Sequence, residues 1–190
     1  MQVELPFGEV KRCFRLVNDL FGSRCFRDLL DTGIYPDMKE MTESAAVIWA
    51  LKHRVKDFSL SDPQVTAFCV GDGATPRTGA MLAFRSKWFV FSIDPLLPKS
   101  GVWPGVNRLA MLSKPVEEVT PITSSKVVIV AVHSHAPLQA SVDRFLSSTQ
   151  CIVIAIPCCV PQTIENIRPD VEYRDDGIWS PQNKVKIWRL

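Results

Sequence analysis

The chain has no run approaching the ~18 continuous apolar residues of a membrane span, and its first fifteen residues set Glu4, Glu9, Lys11 and Arg12 among apolar ones, unlike a secretory leader. A chain without membrane contact, cytoplasmic and soluble, is expected. Charge of one sign is also lacking. Twenty-two Lys and Arg against twenty Asp and Glu give a formal +2, too little to announce a nucleic-acid binder. Cysteine spacing shows no disulfide framework: Cys13, Cys25, Cys69, Cys151, Cys158 and Cys159 are irregularly placed, three of them in apolar runs, which reads as reduced thiols. Internal repeats and low-complexity tracts are missing too.

What is present suits a globular chain. Over 190 residues, 46% are hydrophobic and 22% charged, and a chain of this length buries roughly 70% of its extended surface, enough for a full core. Residues 1–60 read as a helical addition to a core spanning 61–190, the whole forming one compact unit. Val10, Phe14, Val17, Leu20 and Phe21 recur at helical spacing before Gly22, a candidate C-cap. A second helix is expected from Thr42 to about Asp57, with turns at Asp31-Thr32-Gly33 and Tyr35-Pro36-Asp37.

From Val65 the texture changes. Runs at Val65–Val70, Trp88–Ile93, Arg108–Leu112, Lys126–Val132 and Cys151–Ile156 are nearly continuously apolar, as strands buried on both faces of a parallel sheet are. Arg77–Lys87 and Pro137–Ser148 are long enough for crossover helices, giving α/β, doubly wound architecture with a mostly parallel sheet. Val171–Arg174 and Lys184–Trp188 read as a closing antiparallel pair.

Phe68-Cys69-Val70-Gly71-Asp72-Gly73-Ala74-Thr75-Pro76-Arg77-Thr78-Gly79 carries the densest signal. Two glycines one residue apart allow a sharp turn and close ligand approach at a helix N-terminus. Asp94 ends the next strand 23 residues after Gly71, near the spacing at which a carboxylate reaches ribose hydroxyls. No Gly-Lys-Ser/Thr follows, against a triphosphate loop, and Pro76 holds the sixth motif position where a dinucleotide site has glycine. A tight strand-to-helix turn capped by an ordinary Asp is the plain alternative.

The segment resembles the first motif of class I, Rossmann-like S-adenosylmethionine-dependent methyltransferases, over about residues 62–190. That resemblance implies a site for S-adenosylmethionine made by Gly71, Asp72, Gly73, Thr75 and Asp94, the last holding the ribose. Cys69 stands where the family often has an acid, with Asp72 as the replacement. The Asp/Asn-Pro-Pro-Tyr/Phe motif of amino methylation is absent.

After the fourth and fifth strands come His133-Ser134-His135-Ala136 and Pro157-Cys158-Cys159-Val160. They are loosely similar to the His-x-Cys-Gly and Cys-Cys-His segments of a methyltransferase subset that includes tRNA 2′-O-methyltransferases. Ile156-Pro157-Cys158 resembles the Pro-Cys pair of cytosine C5-methylating enzymes in outline, but after the wrong strand. The cluster reads as buried packing, as His133 or His135 orienting or deprotonating an acceptor, as zinc ligands, or as a thiol nucleophile. Adjacent or one-apart ligands are poorly spaced for tetrahedral closure, so no metal ligand is assigned and His133 and His135 are the catalytic candidates.

Lys11, Arg12, Arg15, Arg24, Arg27, Lys52, His53, Arg54 and Lys56 interleave with acids on the leading helices, a solvated face or an RNA-contacting one. The expected function is methyl transfer to an acceptor, RNA ahead of the rest, with a non-catalytic binding or assembly subunit as alternative; a protein partner or homo-oligomer fits either. Trp103, Trp179 and Trp188 read as packing residues rather than base-stacking ones.

Overall fold

The computed structural model describes residues 13–98, 101–146 and 150–190; Val10, Lys11, Arg12 and the end of the Pro137–Ser148 segment fall outside them. Helices α1 (Arg15–Phe21), α2 (Phe26–Asp31) and α3 (Met38–Arg54) lead into β1 (Val65–Val70), α4 (Arg77–Arg85), β2 (Phe89–Ile93), β3 (Leu109–Leu112), β4 (Lys126–Val132), α5 (Leu138–Phe145), β5 (Gln150–Ile156), β6 (Val171–Arg174) and β7 (Lys184–Arg189).

The strands form one seven-stranded sheet in the order β3-β2-β1-β4-β5-β7-β6. The first five are mutually parallel, while β7 runs antiparallel to both β5 and β6. The five expected parallel strands therefore form within a residue of their apolar runs. The closing pair does more than expected, because β7 inserts between β5 and β6 rather than extending the edge.

Side chains alternate across β1 as the pleat requires. Val65, Ala67 and Cys69 join the core under α1, α3 and α4, whereas Phe68 and Val70 join the opposite core with α5. There Phe68 stacks on Phe145, ring centroids 3.9 Å apart. Because α4 and α5 lie on opposite faces, the order of connections reverses between β1 and β4. That switch point is where doubly wound sheets open a crevice at the strands' carboxyl ends.

Two helical expectations are corrected. The second long helix starts at Met38, not Thr42: Asp37 is its N-cap, with extended backbone and a carboxylate accepting the Glu40 N–H at 2.9 Å. Thr42 is instead fully buried, its hydroxyl donating to the Lys39 carbonyl and accepting the Trp179 N–H at 3.0 Å. In α1 the buried positions are Leu16, Val17 and Leu20, while Phe14 and Phe21 are 56% and 61% exposed. Phe21 packs edge-on against Phe26 of the unforeseen α2, and Phe14 against Trp179. Gly22 caps α1 in a right-handed conformation.

Candidate functional site

The glycine turn leaves β1 directly into the crevice. Gly71 and Gly73 have φ of +69° and +82°, backbone that a side chain adopts only under strain. A Cβ on Gly71 would collide with the hydroxyl of Ser134 and lie 2.8 Å from its Cβ; one on Gly73 would collide with the Arg77 guanidinium. The turn is thus packed tightly against the segment leaving β4.

Asp94 ends β2 and reaches back across the turn. One carboxylate oxygen accepts the Gly73 N–H at 2.9 Å and the other the Leu96 N–H at 2.8 Å. Each oxygen retains a lone pair. Gly71, Asp72, Gly73 and Asp94 share the wall of a cavity of about 560 Å³ with residues from α3, the β3–β4 connection and the end of β4, within the size range of nucleoside-sized ligand sites. Carboxylates of Glu40, Glu43, Asp94 and Glu117 line it against the cations Arg77 and Lys114, and Leu96 and Val116 supply apolar wall.

Asp72 lines the cavity but spends its carboxylate on the protein, and Thr75 is not part of the lining. The Asp72 carboxylate is buried and accepts the N–H groups of Thr78 and Gly79, at 2.8 and 2.9 Å, and the Ser92 hydroxyl at 2.6 Å, anchoring the start of α4. Burial pushes its carboxyl upward, although those donors pull the other way. The Thr75 hydroxyl donates to the Ile34 carbonyl at 3.2 Å, away from the cavity wall. Cys69 is buried in the core, where desolvation drives its thiol well above the ordinary range, so neither it nor Asp72 offers a free acid to the cavity.

The two histidines occupy different surroundings. His133, at the end of β4, has φ +47°, unusual for a residue with a side chain. Its N–H donates to the Ile156 carbonyl at 2.8 Å. Its Nδ1 lies 3.3 Å from Glu43 Oε1 and its Nε2 3.1 Å from the Gln182 carbonyl. Glu43 is 2% exposed; burial pushes its carboxyl up against the opposing pull of His133 and Lys39. His135 is exposed at the cavity rim, its Nε2 3.4 Å from Cys159 Sγ.

His133 and Cys158 do meet at the carboxyl edge: β4 and β5 are paired neighbours and Cys158 Sγ lies 3.6 Å from the His133 carbonyl. All six cysteines are free thiols. Burial would raise the Cys158 thiol, yet the N–H groups of Val160 and Cys159 outweigh it and hold it below the usual range.

Glu40, Glu43, Arg77, Lys114 and Ser134 are site residues the linear reading did not single out. Only Glu43 carried a local hint, a carboxylate on the helix stretch that continues into Ser44-Ala45-Ala46.

On the leading helices, Arg15 pairs with Asp175 and stacks on Trp49, and Lys52 pairs with Asp19, while Arg24, Arg27 and Lys56 are exposed. Trp188 is buried with its indole N–H on the Ile167 carbonyl, and Trp103 donates to the Thr32 carbonyl. Among the described residues no helix is long and apolar enough to cross a membrane.

No family model and no curated protein matches the chain. Solved structures do. A mutant of MtNAS in complex with S-adenosylmethionine is similar over 92% of this chain and 70% of its own, at 14% identity and a TM-score of 0.55. MtNAS in complex with MTA and tNA is similar over 93% and 69%, at 13% identity and a TM-score of 0.53. Together with the strand order and the reversed β7, these likenesses give the chain the fold of the class I S-adenosylmethionine-dependent methyltransferases.

Proposed function

We propose that the chain is an S-adenosylmethionine-dependent methyltransferase. The observation that carries this reading is the Gly71–Gly73 turn tied by its own N–H to Asp94 at the wall of the crevice. Gly71 and Gly73 would let the protein backbone approach the ligand closely, Asp94 would receive the ribose hydroxyls on its remaining lone pairs, and Leu96 and Val116 would flank the base. The surplus of carboxylates on the lining suits a ligand carrying a positive sulfonium. S-adenosylmethionine, when bound, supplies an activated methyl group, so positioning provides most of the acceleration.

For an acceptor that must lose a proton, Glu43 is the base. Burial raises its proton affinity, and His133, anchored on the Gln182 carbonyl, positions it. His135 is turned to the cysteines instead. RNA is the first acceptor class to assay, on the strength of the exposed Arg24, Arg27 and Lys56.

Calorimetric titration with S-adenosylmethionine and S-adenosylhomocysteine tests the pocket without an acceptor; saturable one-to-one binding is expected, and no binding to either refutes the reading. Transfer of labelled methyl to RNA, DNA, protein and small-molecule acceptors then separates an enzyme from a binding or assembly subunit, which would bind the ligand and transfer nothing.

A further inference from the structure

At the rim of the methyl-donor crevice, one cluster of soft ligands stands out. Cys158 and Cys159 are sequence neighbours, yet the turn after β5 brings both thiols to one side, with their Sγ atoms 3.7 Å apart. His135, from the turn after β4, sets its Nε2 3.4 Å from Cys159 Sγ. All three ligand atoms lie within 4.8 Å of one another.

The Cys158–Cys159 and Cys159–His135 separations match two edges of a coordination polyhedron. With Zn–S of about 2.3 Å and Zn–N of about 2.0–2.1 Å, tetrahedral edges come to about 3.8 Å between two sulfurs and about 3.6 Å between sulfur and nitrogen. The observed 3.7 and 3.4 Å are those edges to within a few tenths of an ångström. Side chains of this kind suit thiophilic cations rather than magnesium or calcium. Adjacent positions in sequence make a poor ligand pair only if the backbone points them apart, and this turn does not.

We propose that His135, Cys158 and Cys159 form a binding site for a thiophilic divalent cation of the zinc type. Two elements contribute, so an ion would pin the β5 exit to the β4 exit, the same edge at which Cys158 already reaches the His133 carbonyl. Three protein ligands leave one tetrahedral position for a water or a substrate atom, the arrangement of reactive rather than purely structural sites. His135 also lines the crevice, which puts that position at its rim.

The test uses the full chain, reduced and freed of metal, titrated with Co²⁺ and then Zn²⁺. One equivalent should bind with thiolate-to-cobalt charge-transfer and tetrahedral ligand-field absorption, bleached by zinc. Since losing a mere supporting contact to a ligand costs about 10–100-fold in metal affinity, His135→Ala and Cys159→Ser should each weaken binding by more than about 100-fold, whereas Cys25→Ser should change nothing. A readout on the unaltered chain guards against a misfolded variant: zinc should shield Cys158 and Cys159, but not the half-buried Cys25, from alkylation followed by mass spectrometry. Absence of stoichiometric uptake, charge transfer that survives Cys158→Ser/Cys159→Ser, unshielded thiols, or a Cys158–Cys159 disulfide that forms in place of metal uptake would each overturn the proposal. None of these readouts depends on methyl transfer.

Discussion

Asp94→Ala is the substitution that strikes the proposed ligand site most directly. The carboxylate holds two backbone N–H groups, of Gly73 at 2.9 Å and Leu96 at 2.8 Å, and would offer its remaining lone pairs to a ribose. Hydrogen bonds to a charged group are worth roughly 1.5–3 kcal/mol each. Losing one at the lower figure weakens binding about tenfold, and losing two at full strength would exceed about 10⁴-fold. Asp94 is half-exposed, so water recovers part of the loss and the effect should sit toward the lower end, from tenfold to a few hundredfold. The variant also frees the glycine turn, so Asp94→Asn, which keeps one carbonyl acceptor, should fall between wild type and Asp94→Ala. The assay is calorimetry with S-adenosylhomocysteine, with a thermal melt to show that each variant is folded. Unchanged affinity in a folded Asp94→Ala protein would refute the assignment of this carboxylate to the ligand.

Gly71→Ala should cost at least ~2 kcal/mol in urea unfolding, from left-handed strain plus the collision with Ser134, with Ser134→Gly recovering only the steric share; a neutral Gly71→Ala would show the turn is looser than described. Asp72→Ala strips acceptors from the Thr78 and Gly79 N–H groups and the Ser92 hydroxyl, about 3 kcal/mol or more, and should lower Tm by roughly 6–12 °C; a smaller drop than in Asp94→Ala would contradict its anchoring role. Burial raises the Asp19 carboxyl, but Arg85 and then Lys52 more than offset it and hold it below the ordinary value of 3.8. A depressed folded pKa means stabilisation present above the unfolded value and lost as pH falls through the folded one, so wild type should lose more stability than Asp19→Asn between about pH 5 and 2, and parallel acid-unfolding curves would remove this contribution. Glu43→Gln should lower methyl transfer roughly 10²-fold while leaving S-adenosylmethionine affinity nearly unchanged; a loss confined to cofactor binding would assign Glu43 to the ligand instead.

Local information sufficed for the five parallel strands, because burial on both faces writes itself as an unbroken apolar run such as Lys126–Val132. The glycine turn and Asp94 were also legible, since left-handed backbone and a strand-ending carboxylate are each demands written into a few neighbouring residues. The start of α3 was misread because Asp37 and Thr42 are both capping residue types; the burial of Thr42 against Trp179, more than a hundred residues away, decides between them. The insertion of β7 between β5 and β6 could not be read locally either, because an antiparallel pair reads the same at either edge and only docking against β5 sets its place. The site divides the same way. Composition placed histidines and cysteines after two strands, but pairing of β4 with β5 brought His135 to Cys159, and packing of α3 over the switch point brought Glu43 to His133. Those contacts span many residues of chain, and their geometry exists only once the sheet has aligned the strand ends.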